Sequence, residues 1–147
     1  MNIALIPARF GSKRIKNKNI KLFFNKPIIS YSIKSALKCR LFDRVIVSTE
    51  DKYIAKISRY YGAEVPFFRP IKLAGNNTTT ISVIKHAIKC LVLNKKKNTK
   101  ICCIYPVAPL IDPKLLIHSY KKFIKQKTDF SVTLLKKKKF NKKMFYI

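Results

Sequence analysis

Short runs of consecutive apolar residues alternate along this chain with stretches whose apolar positions recur every third or fourth residue. Ile3-Ala-Leu-Ile6, Val45-Ile-Val47 and Ile101-Cys-Cys-Ile-Tyr105 are continuous runs, the pattern of strands buried on both faces of a parallel sheet. Ala63–Phe67 and Phe130–Leu135 read as two further strands. Between them four amphipathic helices are predicted. The first runs over 26–39, with Pro27 in its first turn and Ile29, Ile33, Ala36 and Leu37 on one face. In the second, Asp51 is a cap, Ile54, Ile57 and Tyr61 form the apolar face, and Gly62 ends the helix. The third begins near Thr80, carries Ile84, Ala87, Ile88 and Leu91, and ends near the turn at Asn94–Asn98. Pro113 opens the fourth, with Leu116, Tyr120 and Phe123 on one side.

Strands that alternate with helices require parallel crossovers, and these are right-handed in nearly all proteins. The expected fold is therefore α/β, a doubly wound and mostly parallel sheet. Ligands bind such sheets beyond the carboxyl ends of the strands. Four segments fall on that edge: the loop after the first strand, Ser48-Thr49-Glu50, the loop from Arg69 to Thr79, and Pro106–Leu110.

The first of these loops is strongly cationic, with Arg9, Lys13, Arg14, Lys16 and Lys18. Gly11 and Ser12 let its backbone turn and offer N–H groups to an anion, a phosphate cradle in outline. It is neither a Walker loop nor a dinucleotide fingerprint, both of which need more glycines at fixed spacing.

A length of 147 residues suits one domain, here an α/β unit over 1–135 followed by a basic tail at 136–147 that reads as disordered. Lys and Arg number 33 against 6 Asp and Glu, a net charge of +27 that favours polyanions of any kind. Lys, Asn and Ile are abundant together, as codons rich in A and T would produce, so part of this charge reads as compositional bias. A non-catalytic basic protein that binds nucleic acid or other polyanions is the alternative reading, marked by steep salt dependence. Cys39, Cys90, Cys102 and Cys103 lack metal-ligand spacing and are expected as reduced thiols. Neither a leader pattern nor a long apolar span is visible, so a cytoplasmic protein without membrane contact is expected. His86 and His118 read as ordinary helix residues.

The run Pro7-Ala-Arg-Phe-Gly-Ser-Lys-Arg-Ile-Lys-Asn-Lys-Asn19 resembles the N-terminal signature of the acylneuraminate cytidylyltransferases. Phe42–Thr49, Tyr61–Pro66, Arg69-Pro70 with Leu73-Ala74, and Tyr105–Leu110 extend the likeness in order. The resemblance implies a Rossmann-like fold of the nucleotide-diphospho-sugar transferase type, incomplete at its C-terminus. It also implies transfer of CMP from CTP to an acidic nine-carbon (nonulosonic) sugar of pseudaminic or sialic type, with release of pyrophosphate. Arg9 and Lys18 would be catalytic, with Arg9, Gly11, Ser12, Lys13, Asn19 and Arg69 on the nucleotide and Tyr105, Pro106 and Pro109 at the sugar. Mg²⁺ is the implied cofactor, and a homodimer or a complementing polypeptide the implied partner. No residue here matches a metal position of the family. Phe10 stands where the family has a small residue and is expected to crowd the phosphates, and Gly75-Asn-Asn77 lacks the usual Asp.

Overall fold

A computed structural model describes residues 1–12, 15–91 and 98–132. Its centre is β1 (Asn2–Pro7), flanked on one side by β4 (Arg44–Ser48) and on the other by β5 (Lys100–Cys103), both parallel to it. Ile3 lies opposite Arg44 on one neighbour and Ile101 on the other. A central strand meets no water on either face, which is why Ile3 to Ile6 needs no polar alternation.

Successive residues of the strands nonetheless serve different layers. Ala4 and Ile6 of β1, with Val45 and Val47 of β4, pack against α1 (Ile29–Lys38), α2 (Lys52–Tyr60) and α4 (Pro113–Gln126). Ile3, Leu5 and Ile46 point the opposite way, onto α3 (Thr80–Cys90) through Ala87. Helices thus cover both faces, as expected for a doubly wound sheet. Full burial of an aliphatic side chain is worth about 1.5–3 kcal/mol, and strand residues such as Ile6 and Ile46 share that contribution with Ile29, Ile33 and Ile54 of the helices.

Side-chain caps open three of the helices, and of these Asp51 is the one expected from the sequence. Asp51 accepts from the Ile54 amide at 2.7 Å, Thr79 accepts from Ser82 at 3.2 Å, and Asp112 accepts from the Lys114 amide at 2.8 Å. Gly62 ends α2 at φ 93, a left-handed conformation that an L side chain rarely adopts.

Three expectations need correction. The helix predicted over 26–39 starts only at Ile29, because Lys26–Pro27 (β3) pairs antiparallel with Leu22–Phe23 (β2). Phe24 and Asn25 form the turn with φ of 45 and 58, a conformation usually announced by Asn-Gly.

The strand expected over Ala63–Phe67 is reduced to two isolated bridges, Glu64 to Ile46 and Phe68 to Thr49. Glu64 exchanges both backbone bonds with β4, and the next donor in a parallel ladder would be residue 66. That residue is proline, which has no N–H, so the ladder stops.

Phe130–Val132 carry no strand, and residues 133–135 of that expectation lie outside the described residues. So do Lys13, Arg14, most of the turn expected over 94–98, and the tail over 136–147.

All four cysteines are unpaired. Burial pushes the thiols of Cys102 and Cys103 up to about 11. Among the described residues no helix is long and apolar enough to cross a membrane.

Candidate functional site

The ladder between β1 and β4 runs one residue past the strand, with the Ala8 amide donating to the Ser48 carbonyl at 2.9 Å. Beyond it the backbone leaves the sheet. The Phe10 amide donates to Glu50 Oε1 at 2.7 Å, and the Ser12 amide turns back to the Phe10 carbonyl at 2.9 Å. The loop closes at a single 3-10 turn, Lys18–Ile20, entered through Asn17 in a left-handed conformation. Asn19 in this turn is only 4% exposed, and its Nδ2 donates to the Arg9 carbonyl at 2.7 Å. Arg9 itself reaches across to the Ala74 carbonyl through Nη1, at 3.3 Å.

Arg69 hangs from the other side of β4. Its amide donates to the Thr49 carbonyl at 2.8 Å, and its guanidinium, in a residue 5% exposed, pairs with Glu50 Oε2 at 2.7 Å. Removing one member of such a buried pair typically costs about 3–5 kcal/mol, because the other charge is left without compensation. Two buried polar atoms in this region, Asn19 Oδ1 and Arg69 Nε, have no hydrogen-bond partner among the described residues. Unpaired buried groups each cost about 1–3 kcal/mol, a cost that a bound ligand offering the complementary group removes.

The third wall comes from β5. The Ile104 amide continues the pairing with β1 at Leu5, Ser32 Oγ donates to the Tyr105 carbonyl at 2.9 Å, and the Tyr105 hydroxyl lies 3.2 Å from Thr80 Oγ1. Together these segments enclose a cleft of about 490 Å³, within the range of small-molecule sites.

Arg9, Ser12, Lys18, Asn19, Arg69, Tyr105 and Pro106 all line it, so seven residues singled out in the sequence converge. Gly11 and Pro109 do not line it, and Lys13 lies outside the described residues. Gly11 has no positive φ, and no atom of the described residues lies within 4 Å of where a Cβ would stand, so nothing among them requires glycine there. Phe10 is half exposed and absent from the lining, so it does not crowd the cleft as expected.

The sequence placed the loop from Arg69 to Thr79 on this edge without assigning Leu73, Asn76 or Thr78 to the cleft, and it missed Thr80 and Val83 at the start of α3. The small polar run Gly75–Thr80 immediately before a helix was the visible signal of this wall. His86 and His118 sit on α3 and α4 outside the lining. Burial, then Arg69 and Lys89, lower the pKa of His86, whose ring meets Phe67 edge-on.

The acids near this edge are already engaged. Glu50 holds Arg69 and the Phe10 amide, while Asp51 and Asp112 cap helices. No group of three potential metal ligands occurs among the described residues. These residues therefore do not fit a protein-held Mg²⁺.

A parallel sheet wrapped by helices, with a cation-lined cleft beyond the ends of its strands, defines a doubly wound α/β protein with its cleft at the edge where such folds take ligands. The model of the Cytidylyltransferase family matches residues 3–145, and the chain belongs to that family. It is 40% identical over 129 residues to a pseudaminic acid cytidylyltransferase of Campylobacter jejuni, covering 88% of this chain and 56% of that protein. An N-acylneuraminate cytidylyltransferase of Escherichia coli is 34% identical over 119 residues, covering 81% of this chain and 27% of that one. The chain thus spans little more than half the length of the Campylobacter relative. Among solved structures, a CMP:2-keto-3-deoxy-manno-octonic acid synthetase complexed with CTP superposes with a TM-score of 0.70 at 18% identity, covering 86% of this chain and 48% of that one. At that identity the likeness establishes the fold.

Proposed function

We propose that this chain binds CTP in the cleft and takes part in transferring CMP to a nonulosonic acid of pseudaminic or sialic type. The observation that carries the reading is the convergence of Arg9, Ser12, Lys18 and Asn19 from one loop with Arg69 and Tyr105-Pro106 from two others. The relatives' names supply the substrate class.

In the proposed reaction the anomeric hydroxyl oxygen of the sugar attacks the α-phosphorus. A new O–P bond forms, the bond from the α-phosphorus to the bridging oxygen breaks, and pyrophosphate leaves with the electron pair while the hydroxyl proton passes to solvent. Negative charge grows on the phosphate oxygens, and fixed cations placed there lower the barrier. Arg9 and Lys18 are assigned that role. Ser12, Lys13 and Asn19 hold the triphosphate with the Gly11 backbone, Arg69 contacts the nucleotide, and Tyr105, Pro106 and Pro109 shape the sugar pocket.

Mg²⁺ is proposed to enter on the triphosphate oxygens, a mode suited to an ion that keeps much of its water shell. A second copy or a complementing polypeptide is the proposed partner. Free thiols and the use of CTP fit a cytoplasmic site of action.

The test is pyrophosphate release from CTP and from ATP, each with pseudaminic acid, beside thermal melting of the chain with each nucleotide and with a single-stranded oligonucleotide. A native-state ligand at about a hundredfold excess over Kd adds about 2.7 kcal/mol of stability. Release and stabilisation confined to CTP support the reading. Equal stabilisation by every polyanion replaces it with the basic-binder alternative.

A further inference from the structure

Glu50 faces the ligand edge, yet it is spent within the protein. One carboxylate oxygen accepts from the Phe10 amide in the cation loop, and the other accepts from Arg69 Nη2, both at 2.7 Å. The Glu50 side chain is mostly buried and that of Arg69 almost wholly so. These two contacts tie together two segments that contribute residues to the cleft. The loop leaves β1, whereas Arg69 hangs from Thr49 at the end of β4 by one backbone bond. Arg9 Nη1 also crosses from the loop, to the Ala74 carbonyl, at a longer 3.3 Å.

We infer that Glu50 is a positioning residue: its carboxylate fixes the separation between the triphosphate-binding loop and Arg69, so that one nucleotide engages both. The inference rests on the nucleotide reading proposed above and deepens it by assigning a residue that never touches the ligand. Two contacts held at a matched distance act as a linked pair, and affinity rises well beyond that of either contact alone. A carboxylate is needed because it is acceptor-only on both oxygens. Glutamine offers one acceptor and one donor, and the donor faces a guanidinium that cannot accept. Glu50→Gln therefore releases one of the two sides, while Glu50→Asp keeps the charge beside Arg69 but is one methylene too short to span both.

The experiment compares calorimetric binding of Mg·CTP and of inorganic tripolyphosphate to the wild-type chain, Glu50→Gln and Glu50→Asp. Amide exchange at Phe10 is followed in each. Tripolyphosphate engages the loop alone, so the ratio of the two affinities reads the linkage rather than the fold. The ratio is expected to fall by about tenfold or more in both variants, with tripolyphosphate affinity held within about threefold. Exchange at Phe10 accelerates in parallel. If Glu50→Gln does not fold, Glu50→Asp, which retains the compensating charge, decides the matter.

An unchanged ratio in a folded variant overturns the inference, as does an equal loss for both ligands, the mark of a merely structural role. If the wild-type chain does not prefer CTP to tripolyphosphate, the nucleotide reading fails, and with it any function for the linkage. Phe10 exchange in the variants then still separates a real clamp from none.

Discussion

Asn19 Nδ2 donates to the carbonyl oxygen of Arg9 at 2.7 Å, closing the cation loop on itself ten residues after it begins. The loop therefore arrives at its ligand already folded back, with Arg9 and Lys18 on the same cleft. Removing this bond leaves a carbonyl without its partner in a largely buried setting. Asn19→Ala is expected to lower stability by about 1–2 kcal/mol, measured by urea unfolding. It is also expected to weaken CTP binding, whereas Asn19→Asp, which puts a carboxylate against the carbonyl, should be worse than alanine on both counts.

Gly62 combines φ 93 with a Cβ position 3.0 Å from Leu37 Cδ1. Gly62→Ala is expected to destabilise by about 1–2 kcal/mol from the backbone alone, since the tip of the leucine can move aside. Gly11→Ala is the contrast. It should leave the melting temperature unchanged, so any loss of CTP affinity in that variant reports the ligand's own need for close approach to the backbone.

The hairpin turn holds a phenylalanine where a left-handed residue is required. Phe24 has φ 45, is 82% exposed, and gains only an edge contact with Phe23. Replacing Phe24-Asn25 by Asn-Gly is expected to raise stability by about 1 kcal/mol, the relief of backbone strain exceeding the lost ring contact. Thermal melting checks the sign.

The thiols should react in an order set by exposure and pKa. Cys90 is exposed, whereas Cys102 and Cys103 titrate near 11 because burial disfavours their thiolates. At pH 8 only about one in a thousand of such groups is ionised, so Cys90 is expected to be alkylated first and the pair only on unfolding. Mass mapping of the labelled peptides tests this, and rapid labelling of Cys102 in the folded chain would contradict it.

His86 supplies a dependence of stability on pH. Its folded pKa is lowered by burial and by the nearby cations Arg69 and Lys89, so the unfolded chain takes up a proton first as pH falls. Its contribution is fully present above the unfolded value of about 6.5 and is lost below it. His86→Gln should flatten the fall in melting temperature over that window.

The sheet was legible because a strand buried on both sides must be apolar throughout, and Ile3–Ile6 and Val45–Val47 have no other use. The Asp51 cap was legible because it precedes an apolar period at the spacing a helix start needs, whereas Pro113 marked the fourth helix and the Asp112 cap beside it emerged only from the structure. The hairpin was not legible, because Phe24-Asn25 lacks the residues that usually mark such a turn, and Pro27 reads equally well as a helix start. In the cleft, Arg9 and Lys18 stood out within a cationic loop after an apolar strand, whereas Arg69 was singled out by the family resemblance. The wall from Thr78 to Val83 did not stand out, since threonines before a helix look like capping alone, and which side they face depends on how α3 packs.

That packing joins two tasks in one helix. Val83, 4% exposed, lines the cleft, while Ala87 one turn later closes the second layer over Ile3, Leu5 and Ile46. A volume change at either position is transmitted along the same rigid rod. Drift in the interior of this layer therefore retunes the pocket, and selection for a different ligand must rewrite part of the core, so the two cannot evolve independently.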